Sequence, residues 1–233
     1  MLMNPQESNN TKFPDFSSLV GSPINDSSIR RMLEEFPNLS DCASSLALAS
    51  AQVIDRLALG GTLFLAGNGG SLADCLHIAG ELKKQFEKAR PLPVELAETL
   101  RTFNGGDDIA KSLQSGLRVH VLGCDPVLAY AVDNDIETRF MQFAQELYAL
   151  ARPEDIFLGI STSGKARNVL NCAIVAKSLD LPVIVLTGTN VSPLSEMADY
   201  TVRAPASTTA EIQSFHSLIY HVFCRVIEDT LFG

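Results

Sequence analysis

The sequence predicts an α/β protein, a single domain in which a five-stranded parallel sheet is flanked by helices on both faces. Three observations lead to this prediction. Five short apolar runs alternate with longer helical patterns along most of the 233 residues. The runs are apolar almost throughout, as in parallel strands that are covered on both faces. Turns of small polar residues follow two of the runs, at the strand ends where such sheets bind ligands.

The regular pattern begins with an N-terminal helical segment and continues with strands and helices in turn. The helical pattern starts at Ser28, is interrupted at Pro37 and ends at Gly60 and Gly61, since glycine commonly follows a helix. The runs that we interpret as strands lie at residues 62–67, 119–123, 155–161, 182–188 and 200–205. Helical patterns follow most of them, at about residues 72–87, 165–179, 193–198 and 209–231.

Two segments depart from this alternation. Residues 1–27 are polar and rich in Asn, Ser and Pro, which is typical of a flexible N-terminal arm ahead of a domain at residues 28–233. Residues 92–118 contain two short helical patterns joined by residues 104–106. We interpret residues 92–118 as an insertion near the rim of the sheet.

Composition restricts the expected partners. The formal net charge is −9 and no basic tract is present, so no surface for nucleic acid is expected. The five cysteines are far apart and show no paired spacing, which is typical of reduced thiols. The sequence shows neither a signal pattern nor an apolar run long enough to cross a bilayer. We therefore expect a cytoplasmic protein that binds neither nucleic acid nor membranes.

Two turns at predicted strand ends are candidate phosphate sites. The candidate residues of the first turn are Asn68, Gly69, Gly70 and Ser71. The candidate residues of the second turn are Ser161, Thr162 and Ser163. The first turn lacks the pattern of a P-loop and of a dinucleotide fingerprint, so no nucleotide cofactor is expected. Each turn alone fits a plain glycine turn or a helix cap, but two turns that both precede helices favour a site for one phosphate.

A second set of polar residues has the spacing of a reactive site. His77 and Glu81 are one helical turn apart and face the same way. Gln213 and His221 are eight residues apart on the last predicted helix, about 80° around its axis, and so share one broad face. Such a set can bind zinc, or it can supply a carboxylate base and an imidazole acid for proton transfer beside a carbonyl. The residues alone leave both alternatives open.

Three further residues are weaker candidates. His120 lies in an apolar strand, where a core histidine with a satisfied hydrogen bond is expected. His216 lies about 140° around the helix from His221, which favours a structural role. Asp135 is expected in a loop at the rim, where its carboxylate can accept a hydrogen bond from a sugar hydroxyl.

Four stretches of the chain resemble the sugar isomerase (SIS) domain family. They are "GNGGSLADCLHIAGEL" at 67–82, "LGISTSGKARNVL" at 158–170, "VIVLTG" at 183–188 and "EIQSFHSLIYHVFCRVIE" at 211–228. The resemblance covers roughly residues 40–231, apart from residues 92–118. Within the family, these motifs are most similar to those of the phosphoheptose isomerases.

The resemblance implies a single SIS domain, a flavodoxin-like three-layer sandwich, in a homotetramer with active sites at subunit interfaces. The implied reaction converts sedoheptulose 7-phosphate into D-glycero-D-manno-heptose 7-phosphate, the first step towards the heptose of bacterial lipopolysaccharide. By position, Glu81 and His221 match the acid and base that work through an enediol. The residues that match the set for one zinc ion per subunit are His77, Glu81, Gln213 and His221. The implied substrate contacts are Asn68, Gly69, Gly70, Ser71, Asp135, Ser161, Thr162, Ser163, Thr209 and Gln213.

Several positions depart from the family pattern. Ala166 stands where a serine is frequent, and Gln85 stands where a basic residue is usual. Glu211 and Ser214 replace the common residues on either side of Ile212 and Gln213. These departures keep open an isomerase or sensor for another phosphosugar.

A further alternative is a non-catalytic relative that regulates the bacterial replication initiator. That relative lacks counterparts of Glu81 and His221. Both residues are present here, which favours an enzyme.

Overall fold

One parallel sheet of five strands forms the centre of the computed structural model, which describes residues 12–21 and 27–233. The strands are β1 (Leu63–Ala66), β2 (Val119–Val121), β3 (Ile156–Ile160), β4 (Val183–Thr187) and β5 (Tyr200–Arg203). They lie in the order β2-β1-β3-β4-β5, and every neighbouring pair is parallel. The predicted fold class and all five predicted strands are confirmed.

Ten helices surround the sheet within the described residues. They are α1 (Ser27–Glu35), α2 (Ser40–Ala58), α3 (Gly70–Lys83), α4 (Val94–Arg101), α5 (Gly106–Ser112), α6 (Pro126–Asp135), α7 (Gln142–Leu150), α8 (Arg167–Ser178), α9 (Pro193–Met197) and α10 (Thr209–Phe232). The interruption predicted at Pro37 is a 3-10 turn, Pro37–Leu39, between α1 and α2. No helix of the described part of the chain has the length and apolar character needed to span a membrane.

The sheet separates two hydrophobic cores. Successive side chains of a strand point to opposite faces. Leu63 and Leu65 of β1 therefore pack with α1, α2, α3 and α10, whereas Phe64 and Ala66 pack with α7 and α8. Both faces of β1, β3 and β4 are buried, which explains why these strands are apolar almost throughout rather than alternating.

The connection between β2 and β3 contains two helices that the sequence pattern did not predict, α6 and α7. The carboxylate of Asp125 caps α6, accepting hydrogen bonds from the backbone N–H groups of Val127 and Leu128 at 3.0 and 3.1 Å. Pro126 occupies the first helical position, which it favours because its fixed φ suits a helix. Asp135 is the last residue of α6, so the prediction that it lies in a loop is wrong.

Residues 92–118 form α4, α5 and the chain that joins them to their neighbours. The two helices pack on each other, and Gly105, with a φ of +78°, immediately precedes α5. A cavity beside them is lined by Leu92, Leu117, Leu57 and Gly60, and the last two precede β1. This segment therefore lies at the amino end of the sheet, opposite the two polar turns. That it is an insertion into the domain stays a prediction.

Part of the predicted N-terminal arm, residues 1–11 and 22–26, lies outside the described residues. The described part, residues 12–21, contacts the domain. The ring of Phe16 packs edge to face on Phe232 with a centroid separation of 5.0 Å. The backbone N–H of Gly21 donates a hydrogen bond of 2.7 Å to Oδ1 of Asp55 in α2.

Candidate active site

The two predicted phosphate turns meet at the carboxyl end of the sheet. One follows β1 and the other follows β3, and these neighbouring strands flank the point where the strand order reverses. Ligands of open parallel sheets bind at such a point. The side-chain amides of Asn68 and Asn168 join the turns, since each amide nitrogen donates to the other's oxygen at 2.8 Å. The two turns thus form one continuous surface.

The backbone of both turns depends on glycine. Gly69 precedes α3 with a φ of +54°, and Gly164 has a φ of +62°, a conformation that other residues adopt at a cost. An added Cβ at Gly164 would also lie 1.9 Å from Oγ of Ser192. Because Gly69 directly precedes α3, the turn after β1 leads into the positive end of the α3 dipole, as an anion site requires.

The hydroxyl groups of the turns differ in exposure. Ser71 and Ser161 are 4% and 6% exposed, whereas Ser163 is exposed. The carbonyl of Thr162 accepts a hydrogen bond of 3.2 Å from the backbone N–H of Gly188, which ties the second turn to the end of β4. The turn is thus held in place by the sheet while Ser163 remains open to a ligand.

The last helix, α10, begins beside the first turn. An added Cβ at Gly70 would lie 2.2 Å from Nε2 of Gln213, so the amide of Gln213 lies directly against the start of α3. Thr209 is the first residue of α10 and is exposed. The hydroxyl of Thr208 caps the helix by accepting a hydrogen bond of 3.4 Å from the backbone N–H of Glu211.

Further along the same two helices, four side chains form a second cluster. Nε2 of His77 lies 3.1 Å from Oε1 of Glu81, and Nδ1 of His77 lies 2.9 Å from the hydroxyl of Tyr220. The ring of His221 meets the ring of His77 edge to face, with centroids 4.8 Å apart. Burial lowers the pKa of His221, which favours its neutral form near neutral pH. The structure thus brings together three of the predicted site residues, His77, Glu81 and His221.

A buried ion pair between Arg90 and Glu228 lies beside this cluster. Nε of Arg90 lies 2.8 Å from Oε1 of Glu228, and both side chains are almost fully buried. Arg90 also donates to the backbone carbonyls of Glu81 and Leu82 at the end of α3. The carboxylate of Glu228 accepts the backbone N–H of Phe86, whose ring stacks on His221 with centroids 6.1 Å apart. The pair therefore contacts both the end of α3, which carries Glu81, and the segment whose Phe86 ring stacks on His221.

Comparison with known proteins identifies the family. The SIS domain family model matches residues 141–223. A phosphoheptose isomerase from Rhodospirillum rubrum is 33% identical over 84% of this chain and 91% of its own. Phosphoheptose isomerase 2 of Campylobacter jejuni is 33% identical over 79% of this chain and 80% of its own. The chain belongs to the phosphoheptose isomerase family.

Solved structures of phosphoheptose isomerases agree with this membership. The structure from Francisella tularensis is 28% identical and superimposes with a TM-score of 0.67, covering 87% of this chain and 93% of that one. The structure from Neisseria gonorrhoeae is 27% identical with a TM-score of 0.65, covering 86% and 92%.

That His77, Glu81, Gln213 and His221 hold one zinc ion, as the family resemblance implies, stays a prediction. Among the described residues, no three His, Cys, Asp or Glu side chains are placed to hold one metal ion. Both ring nitrogens of His77 already contact protein groups. Gln213 lies against Gly70, and its backbone is about 12 Å from that of His221 along the helix axis. Imidazole and carboxylate are suitable zinc donors, and three of the four predicted ligands, His77, Glu81 and His221, lie together in the cluster.

Two residues in or beside the cluster, Tyr220 and Asp74, were not predicted from the sequence. Tyr220 precedes His221 in the chain, and its contact with His77 depends on how α3 packs on α10. Asp74 lies one turn before His77 on α3, and its Oδ2 is buried without a hydrogen-bond partner among the described residues. Burial raises the pKa of Asp74 to about 6, although the nearby His77 lowers it. The spacing of Asp74, His77 and Glu81 on one helical face was a signal for Asp74.

The remaining predicted candidates lie elsewhere. Asp135 is exposed, and its carboxylate accepts a hydrogen bond of 2.8 Å from the side chain of Asn134. Nε2 of His120 pairs with Oε1 of Glu146 at 2.7 Å, so its hydrogen bond is satisfied as expected, although the side chain is 40% exposed. His216 is fully buried in α10, in keeping with a structural role.

Proposed function

We propose that this member of the phosphoheptose isomerase family interconverts sedoheptulose 7-phosphate and D-glycero-D-manno-heptose 7-phosphate. One observation carries the proposal: α3 begins at the joined phosphate turns and, further along, presents His77 and Glu81 beside His221. Along the helix axis, His77 lies about 10 Å and Glu81 about 16 Å from Gly70. An extended sugar phosphate can therefore place its phosphate at the turns and its other end at the cluster.

The proposed role of the turns is to bind and orient the phosphate. Backbone N–H groups at the start of α3 and the hydroxyls of Ser71, Ser161, Thr162 and Ser163 are suitable donors for phosphate oxygens. Because these groups are fixed by the sheet and by the Asn68–Asn168 bridge, the bound sugar loses its freedom before reaction.

The proposed role of the cluster is proton transfer. In the opened ketose, the carboxylate of Glu81 removes a proton from C1 while His221 donates a proton to the oxygen on C2, which gives the enediol. Glu81 then returns its proton to C2, and His221 removes the proton from the oxygen on C1, which gives the aldose. Both residues end in their starting protonation states. A neutral imidazole suits this role, since one ring nitrogen donates and the other accepts.

Replacement of Glu81 by glutamine tests this assignment. The amide has nearly the shape of the carboxylate but cannot take up the carbon-bound proton, so we expect Glu81→Gln to lower kcat for sedoheptulose 7-phosphate about 10²- to 10⁴-fold. The control is Glu98→Gln, at an exposed glutamate of α4, which should retain normal kcat. Near-normal turnover by Glu81→Gln would contradict the mechanism.

A different phosphosugar is the second candidate substrate. Ala166 offers no hydroxyl at the start of α8, and Gln85 offers no positive charge after α3, so contacts that the family pattern includes are absent at both positions. Turnover of other ketose and aldose phosphates, but not of sedoheptulose 7-phosphate, would favour this candidate. A protein that turns over no phosphosugar would favour the non-catalytic regulator instead.

The quaternary structure, metal content and cellular role are further proposals. We propose a homotetramer, because large apolar side chains such as Val127, Tyr130 and Tyr148 are 77%, 78% and 67% exposed in the single chain. Light scattering should then give the mass of four chains of 25.2 kDa. One zinc ion per subunit, a cytoplasmic location and a role in lipopolysaccharide heptose synthesis stay predictions of the resemblance, and metal analysis of the purified protein tests the first.

A further inference from the structure

The cavity at the amino end of the sheet has no role in the proposed reaction. Its volume is about 650 Å³. Sites for small molecules typically have volumes of about 300–1,000 Å³. The cavity lies between the segment before β1, the helix α4 and the chain that follows α5, and residues of the N-terminal segment complete its wall. It is therefore separate from the phosphate turns, which lie at the opposite end of the sheet.

Most of the cavity wall is apolar. Leu57 of α2, Leu96 of α4 and Leu117 before β2 all line it. Phe13 and Leu113 line it as well, and these large apolar side chains are 67% and 50% exposed. Apolar groups that remain exposed around a concave surface commonly mark a binding site. The wall is thus suited to the apolar body of a ligand.

Two cations, Lys12 and Arg118, line the same cavity, and none of the described residues in its wall is acidic. Nε of Arg118 donates a hydrogen bond of 3.2 Å to the hydroxyl of Thr62, which restrains the guanidinium. Neither cation forms an ion pair within the described part of the chain, in contrast to Arg31 and Arg101. Because the whole chain carries a formal net charge of −9, this local excess of positive charge is complementary to an anion.

Hydrogen bonds to the neighbouring chain hold the part of the wall at residues 113–118. The hydroxyl of Ser115 donates to the carbonyl of Pro91 at 2.7 Å. The backbone N–H of Leu117 donates to the carbonyl of Leu82, near the end of α3, at 3.0 Å. A wall that is fixed in this way keeps its shape before a ligand arrives, which lowers the cost of binding.

We propose that this cavity is a second binding site, which takes a small anion with an apolar body, such as a medium-chain carboxylate. The apolar body packs on Leu57, Leu96 and Leu117. The carboxylate accepts hydrogen bonds from the guanidinium of Arg118, and the charge of Lys12 adds to the attraction. Hydrogen bonds between two charged groups are the stronger ones, so Arg118 orients the ligand. This site does not depend on the proposed isomerase activity.

The test is calorimetric titration of the full-length protein with octanoate and with 1-octanol, which has the same chain length and no charge. We expect one octanoate to bind per chain with a Kd below about 1 mM. We expect 1-octanol to bind about tenfold or more weakly, since it cannot form the charged hydrogen bond. Saturating inorganic phosphate should leave the affinity for octanoate unchanged, because phosphate is expected at the turns.

Replacement of Arg118 by glutamine tests the site of the carboxylate. Arg118→Gln removes the charge and keeps a polar side chain, so we expect the affinity for octanoate to fall about tenfold and that for 1-octanol to stay the same. The matched control is Arg31→Gln, at an exposed arginine that does not line this cavity. It should bind both compounds as the wild type does.

Replacement of Leu96 by tryptophan tests the site of the apolar body. The larger side chain of Leu96→Trp occupies the cavity, so we expect binding of both octanoate and 1-octanol to be lost. The matched control is Leu48→Trp, at a leucine of α2 that is 55% exposed and does not line the cavity, and it should retain both. Thermal unfolding of each variant shows whether it is folded.

Four results would overturn the proposal. The first is the absence of saturable octanoate binding to the wild type, and the second is 1-octanol that binds as tightly as octanoate. The third is unchanged octanoate affinity in Arg118→Gln or in a folded Leu96→Trp protein. The fourth is competition by inorganic phosphate, which would place octanoate at the phosphate turns instead.

Discussion

At the scale of single residues, Gly70 at the first phosphate turn lies directly against the side chain of Gln213 in the last helix. An added methyl group there would overlap the amide of Gln213, which lies 2.2 Å from the ideal Cβ position. Gly80 lies on the same helix, and a Cβ added there meets no atom within 4 Å. Alanine at Gly70 tests the close approach of Gln213, whereas alanine at Gly80 tests only the general effect of alanine in a helix.

We expect Gly70→Ala to raise KM for the phosphosugar about tenfold or more, because Gln213 must move and displacements of about 1 Å in a site are costly. We expect Gly80→Ala to leave KM unchanged and to stabilise the protein by about 0.5–1 kcal/mol, since glycine within a helix is unfavourable. Steady-state kinetics and urea unfolding of both variants provide the measurements. Equal KM values for the two variants would contradict the close contact.

His216 is a residue whose burial couples stability to pH. The side chain is fully buried, and neither ring nitrogen has a partner with hydrogen-bond geometry among the described residues. Burial lowers the pKa of His216 from 6.5 to about 4, more than the nearby Thr187 backbone raises it. The unfolded chain therefore binds this proton more readily than the folded protein. As a result, the free energy of unfolding falls as the pH drops from about 6.5 to 4.

Replacement of His216 by methionine should remove this dependence. Between pH 7 and pH 5 we expect the wild type to lose about 2 kcal/mol more of its free energy of unfolding than His216→Met does. Asp74, whose pKa is raised by burial, acts in the opposite direction, but it does so equally in both proteins. Urea unfolding at the two pH values measures the difference. Parallel pH profiles would show that His216 does not cause the effect.

At the scale of secondary-structure elements, the Arg90–Glu228 pair fixes the chain after α3 onto α10. Glu228 accepts hydrogen bonds from the backbone N–H groups of Phe86, Glu87 and Lys88 as well as from Arg90. The guanidinium of Arg90 also lies 4.5 Å from the centre of the Phe232 ring. One carboxylate thus binds three consecutive backbone N–H groups as well as the guanidinium of Arg90.

Breaking this buried pair should be far more costly than breaking an exposed one. Arg90→Leu leaves the carboxylate of Glu228 buried without its counter-charge, and we expect it to lower the free energy of unfolding by about 3–5 kcal/mol. The control is Arg31→Leu, which removes a pair with Glu35 whose side chains are 64% and 51% exposed, and it should cost less than about 1 kcal/mol. Urea unfolding at neutral pH compares the two, and similar losses would contradict a special role for the buried pair.

The strands and the helix α6 differ in how well the sequence could predict them. The central strands β1, β3 and β4 were predictable because burial on both faces makes them short apolar runs, as at residues 183–187 of β4. The α6 helix was missed, although Asp125 and Pro126 form a recognisable helix start, because no clear apolar stripe follows them. Only Val132 of α6 is buried, so the helix shows little of the periodicity on which prediction depends.

At the scale of the whole molecule, the order of the strands brings the two phosphate turns together. Because β1 and β3 are neighbours, turns that are almost a hundred residues apart in the chain lie side by side. Local spacing was enough to place His77 and Glu81 together on one helix. It did not reveal the Asn68–Asn168 bridge or the Tyr220–His77 contact, since each depends on how distant elements pack.

The position of α10 in the chain has a consequence for how the protein is made. Gln213, Tyr220, His221 and Glu228 all lie on this helix, and the last strand of the sheet ends at Arg203. During translation, the ribosome therefore releases every strand before it releases these four residues. The proposed site is therefore complete only when the final helix emerges and docks against α3.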